Sequence, residues 1–145
     1  MKKFNAQYGV GLIEVMVTVL ILSTSLLGLA ALQSRALQYN HSAYMRSQAN
    51  ILAYDLLDRM RASRGRLADY NLGINDAPPM ASGNQAQSDL IEWRQALNEL
   101  LPEGSGGISC DTNNVCTVVI QWAEHDATGS DGNADKSNFQ YMTRI

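Results

Sequence analysis

The stretch GVGLIEVMVTVLILSTSLLGLAAL, residues 9–32, decides how this chain is read. From Val10 to Leu32, 16 of 23 residues are apolar and Glu14 alone is charged. As a helix rising about 1.5 Å per residue it is roughly 34 Å long, enough to cross a hydrocarbon core of about 30 Å. A single-pass membrane helix is therefore expected over 10–32. Lys2 and Lys3 precede it and favour a cytoplasmic N-terminus, which places residues 33–145 on the far side of the membrane.

Residues 1–9 are short and basic, and with the small residues Gly28 to Ala31 they superficially suit a secretory signal peptide. Two features disagree. The apolar run is longer than the usual core of such a peptide, and its fifth residue, Glu14, is a carboxylate. An acid in a span costs on the order of 2.5–3.5 kcal/mol at the bilayer centre and usually marks function. Glu14 sits near the cytoplasmic edge with no cation within reach on its own helix, so its partner is expected on another chain.

The run Gly9-Val10-Gly11-Leu12-Ile13-Glu14-Val15 resembles the leader signal of the type IV pilin-like prepilins: a glycine, a cut, four mostly apolar residues and a glutamate. The resemblance implies cleavage between Gly9 and Val10 by the membrane prepilin peptidase, methylation of the new N-terminus, and an assembly role for Glu14. Val10 stands where phenylalanine is commonest, and Gly11 where threonine is usual. The segment also lacks the proline common in major pilins. The version here is most similar to minor pilins of the PilV type, the type IV pilus modification proteins. A minor pilin in an assembly-priming or tip complex is thereby implied, with the other minor pilins, the major pilin, the prepilin peptidase and the inner membrane as partners. Its site would be the bacterial inner membrane, with a periplasmic C-terminal domain, and then the filament or its tip. The rivals are a type II secretion pseudopilin, which shares the leader and helix, and a DNA-uptake pilin binding through Arg59, Arg61, Arg64 and Arg66.

Downstream, Gln33 to Arg64 holds no proline or glycine, and Met45, Ala49, Leu52, Leu56 and Met60 recur at helical spacing. Gly65 is a plausible stop, so one helix is expected from about Val10 to Arg64. Gly65 to Gln87, with Pro78-Pro79, reads as an irregular connection. Ser88 or Asp89 then caps a short helix carrying Leu90, Trp93, Leu97 and Leu100 on one side. Ile108 to Cys110 and Val115 to Trp122 flank Asp111-Thr112-Asn113-Asn114, a hairpin signal, and Phe139, Tyr141, Thr143 and Ile145 suggest a last strand. The expected fold is α+β: a long N-terminal helix packed on a small antiparallel sheet of three or more strands.

The net charge is −3, and loss of residues 1–9 leaves 9 basic against 14 acidic residues, a net of −5. Bulk attraction to nucleic acid is thus not expected, and the four arginines read first as a solvated helix end, where cations complement the negative helix terminus, and only second as a DNA- or lipid-binding patch. Cys110 and Cys116, beyond the span, face an oxidising space and are expected to pair. A zinc site lacks a second ligand pair, since His41 and His125 stand alone. Asp126, Asp131, Asn133 and Asp135 do not follow the EF-hand ligand order. No Gly-x-Ser-x-Gly elbow, phosphate loop or His-Glu-x-x-His is present. The expectation is a chain that is not an enzyme and takes no cofactor, metal or small-molecule substrate.

Overall fold

The computed structural model describes residues 11–81, 83–124 and 135–145. The expected cleavage site at Gly9 and Val10, His125, and Asp126, Asp131 and Asn133 lie outside these residues. The chain divides into two compact units, Met1–Leu37 and Gln38–Ile145. The elements in order are helix α1 (Leu12–Ala62), a 3₁₀ segment (Arg64–Tyr70), helix α2 (Gln85–Leu100), and strands β1 (Ser105–Cys110), β2 (Val115–Glu124) and β3 (Asp135–Arg144).

The expected stripe is the buried face of α1. Met45, Ala49, Leu52, Leu56 and Met60 are buried, joined by Ala53 and Leu57. Burying a side chain such as Leu56 or Leu57 stabilises by roughly 1.5–3 kcal/mol, so this face holds the helix against the domain. The helix stops at Ala62, before the expected Arg64. Gly65 does not end the structure, because a 3₁₀ segment runs through it, kinked at Arg66 (φ −133°, ψ 29°). Its buried residues, Leu67 and Tyr70, are three apart, and side chains at that spacing eclipse on one side of a 3₁₀ helix.

Helix α2 starts earlier than expected. Asn84, and neither Ser88 nor Asp89, is its cap: the Asn84 side chain accepts from the Gln87 backbone N–H at 2.9 Å, while Gln87 accepts from Gly83 N–H at 2.8 Å. The first satisfies a donor that a helix N-terminus leaves without a partner, and the second holds the residue before the cap against the first turn. Asp89 instead sits on the buried face with Ala86, Leu90, Trp93, Arg94 and Leu97. Leu100 is exposed and Leu101, just past the helix, fills the core in its place.

The sheet has the order β1-β2-β3, antiparallel throughout. On β2, Cys116, Val118, Ile120 and Trp122 are buried and alternate with half-buried Val115, Thr117, Val119 and Gln121, the period-two pattern of a sheet with one covered face. Ile120 opposes Phe139 and Val118 opposes Tyr141 across the β2–β3 ladder. Helix α2 lies close on β1, since a methyl group at Gly106 would come within 2.4 Å of the Trp93 ring and one at Gly104 within 2.2 Å of the Leu97 carbonyl oxygen. The Trp93 indole N–H donates to the Leu52 carbonyl at 3.1 Å, tying α2 to α1, and Tyr54 of α1 packs on Tyr141 of β3 with ring centroids 5.1 Å apart.

Candidate functional site

The first turns of α1 form a polar start on an apolar helix. Gly11 O accepts from Glu14 N at 2.9 Å and from Val15 N at 3.3 Å. Glu14 therefore lies in the first turn, where a carboxylate is favoured by the helix dipole. It is exposed and forms no ion pair among the described residues. From Leu12 to Leu32 every residue is exposed, including eleven large aliphatic or Met side chains from Leu12 to Leu27, at 49–80%. An apolar patch of that extent marks an interaction or membrane site, and the helix is long and apolar enough to cross a membrane.

Four hydroxyls interrupt this surface, and each is answered within one helical turn. Thr18 donates to Val15 O at 2.9 Å, Ser23 to Val19 O at 2.7 Å and Ser25 to Ile21 O at 2.8 Å, while Thr24 reaches Ile21 O at 3.0 Å and Leu20 O at 3.2 Å. Such local bonds are what a hydroxyl needs where water is absent. They leave Glu14 as the polar side chain of residues 11–32 that must look beyond its own helix.

The disulfide lies in the second unit. Cys110 and Cys116 oppose each other in the β1–β2 register, with Cα atoms 4.0 Å apart, and are bonded. The enclosed turn is ordered by Asp111, whose carboxylate accepts from the backbone of Asn113 and Val115 at 2.8 Å each, with Asn114 in the left-handed region at φ 60°. Asparagine tolerates that conformation better than most residues. The chain end is fastened here as well: Ile145 N donates to Asn114 O at 2.9 Å and Arg144 Nε to Asn113 O at 3.2 Å.

The four arginines do not make a uniform basic surface. Arg59 binds Asp55 at 3.0 Å, Glu92 at 2.7 Å and Asp89 at 3.4 Å, and Arg61 binds Asp58 at 2.5 Å. The Glu92 hydrogen bond, with help from Asp55 and Asp89, holds the Arg59 guanidinium charged more firmly than usual. Arg64 and Arg66, in the 3₁₀ segment, are exposed and without ion pairs among the described residues.

Two buried polar features escaped the sequence reading. Asp89, only 4% exposed, accepts from the Tyr70 hydroxyl at 2.6 Å and from Gln85 Nε2 at 2.9 Å, joining the 3₁₀ segment to α2. Burial, reinforced by the bond to Asp89, raises the Tyr70 pKa. Arg94, 7% exposed, donates through one nitrogen to the carbonyls of Gly73, Ile74 and Asp76 at 2.8–3.1 Å, so it staples the connection before α2. Burial lowers the pKa of Arg94 from its ordinary value, and Asp76 partly offsets this. Asp89 falls on the Ala86, Leu90, Trp93, Leu97 stripe, a position that marks it as inward-facing in the sequence itself.

A groove of about 310 Å³ lies on the other side of β1 and β2, lined by Leu72, Ile74, Ile108, Thr117, Val119 and Gln121 together with backbone at Gly73, Gly107 and Ser109. No titratable side chain lines it. Among the described residues no group of three or more His, Cys, Asp or Glu is placed to hold a metal ion. Compared with protein-family models, with curated proteins and with solved structures, the chain finds no match in any of the three.

Proposed function

We propose that the chain is a minor pilin subunit of a type IV pilus, held in the bacterial inner membrane by α1, cut after Gly9 by the prepilin peptidase and built into a filament or its tip complex. The observation that carries this reading is the fully exposed apolar first part of α1, residues 12–32, whose one charge, Glu14, lies five residues after Gly9 and forms no ion pair among the described residues. Cleavage would place a charged amine at Val10, and in a bundle of parallel helices a copy displaced by a few residues brings such an amine to the neighbour's Glu14. In an apolar setting an unpaired charge is costly and a paired one far less so, so correct docking is favoured over misplacement. The α+β domain supports the reading by burying one face of the second half of α1, from Met45 to Met60. The ion pairs of Arg59 and Arg61 count against a DNA-binding role, because a paired guanidinium has less charge to offer phosphate.

The test is N-terminal mass spectrometry of native protein purified from membranes. A mature chain starting at Val10 is expected, and an intact Met1 or a start at Ala31 would overturn the reading.

A further inference from the structure

Past Leu32, α1 does not become an ordinary solvated helix. Between Gln33 and Tyr54 there is no Asp or Glu, and the cations are Arg35 and Arg46. Leu37 and Tyr39 are 70% and 74% exposed. Arg35 forms no ion pair among the described residues. Single exposed apolar residues are common, but the position of these three is not arbitrary. Glu14 and Arg35 are 21 residues apart, or roughly 31 Å along a helix, and a hydrocarbon core is about 30 Å thick. The two charges can thus lie at both surfaces of one bilayer at once. With Arg35 at the boundary, Leu37 and Tyr39 stand roughly 3 and 6 Å further out, within a headgroup layer about 5–8 Å deep on each side.

Angular position chooses the occupant. Arg35 and Tyr39, four residues apart, share one side of the helix, while Leu37 lies on the opposite side. A partner helix covers one stripe, whereas these residues surround the axis, as a medium on all sides requires. Tyrosine favours this layer because its ring is apolar and its hydroxyl wet. An arginine keeps its stem in apolar surroundings and gives its planar donors to phosphate.

We propose that Arg35, Leu37 and Tyr39 form an interfacial collar that binds the headgroups of anionic phospholipid and, with Glu14, fixes the depth of α1 in the membrane. Arg35 donates to lipid phosphate, Tyr39 rests in the headgroup layer, and Leu37 reaches back toward the acyl chains. The collar rests on the membrane-span part of the proposed function.

The test uses the full chain with one added cysteine at Ile21, Ala36, Gln38 or Asn50, each labelled with a polarity-sensitive fluorophore. The native cysteines are bonded to each other, so the added thiol is the one that reacts. In vesicles containing phosphatidylglycerol, emission should be most blue-shifted at residue 21, intermediate at 36 and 38, and water-like at 50. Arg35→Gln, or vesicles of phosphatidylcholine alone, should shift the 38 signal toward the water value. If 36 and 38 match 50 while 21 reports hydrocarbon, the collar is overturned and the span stands. If 21 itself reports water, the span reading falls first. Shielding at 36 and 38 that rises with protein density and ignores lipid charge would assign the surface to another helix and overturn the collar.

Discussion

Asp89→Ala isolates the buried polar junction between the 3₁₀ segment and α2. The carboxylate is 4% exposed and holds Tyr70, itself 0% exposed, by a 2.6 Å bond. Truncation removes the acceptor that the Tyr70 hydroxyl uses, which costs about 1–3 kcal/mol for a buried donor, the Ser63 hydroxyl being near enough to take up part of the bond. The other donors recover: Gln85 is exposed and turns to water, and Arg59 keeps Asp55 and Glu92 at a half-exposed site, where such pairs contribute about 1 kcal/mol or less. A loss of about 2 kcal/mol is therefore expected for Asp89→Ala. Tyr70→Phe should cost about 1.5 kcal/mol, because the carboxylate retains Gln85 and Arg59. The double variant orphans neither group, so it should fall short of the sum of the singles by about 1 kcal/mol. Urea unfolding of the full chain in detergent measures this, followed by fluorescence of Trp93 and Trp122, which are 2% and 1% exposed. Additive losses, agreeing within about 0.5 kcal/mol, would refute the argument that the two groups satisfy each other.

Glu14→Ala should be inserted and trimmed to Val10 normally yet be depleted in sheared filaments and in co-purified pilin complexes; wild-type levels there would mean that Glu14 merely reaches the headgroups. Cys110→Ser with Cys116→Ser should lower stability by about 2 kcal/mol from the loss of a short closed loop, and should raise hydrogen exchange at Ile145, whose N–H is held by Asn114 of that loop. The Glu124 carboxyl is held below its usual range first by the Ser137 hydroxyl, then by Ser42, with Arg46 and His41 assisting. A depressed carboxyl contributes stability that is present above the unfolded value of about 4.5 and is lost as pH falls through the folded value. Glu124→Gln should therefore flatten the stability profile below about pH 4.5, and an unchanged acid limb would show that the bond does not persist in solution.

Much of the fold is legible in the sequence because its signals are periodic. Met45 to Met60 keeps helical spacing over four turns, and Ile108 to Cys110 and Val115 to Trp122 flank a turn whose Asp and Asn residues have a chemical reason to be there. What was misread follows other rules. Leu67 and Tyr70 repeat every three residues, which a search for a 3.6 period passes over. Ser88 and Asp89 stand nearer the apolar stripe and so look like the cap, although Asn84 and Gln87 carry the spacing of a capping box. Leu101 replaces Leu100 because the chain leaves the helix there, at φ −123° and ψ 132°, and an extended residue points where a helical one would not. In the candidate site, Glu14 was visible as a charge out of place. The Asp89 and Arg94 contacts were not, since their partners at Tyr70 and at Gly73, Ile74 and Asp76 lie 18 to 21 residues away in sequence and only the folded chain brings them together.

The bonding of Thr18, Ser23, Thr24 and Ser25 to their own helix makes this segment portable. Moved from lipid into the company of other helices, it exchanges one set of hydrocarbon neighbours for another and takes these hydrogen bonds along unbroken. None of the four demands a new partner on arrival, so they set no preference between the two surroundings and impose no orientation. Within residues 11–32 the charged side chain that tells the two surroundings apart is then Glu14, because a carboxylate in an apolar setting is far less costly where a cation meets it.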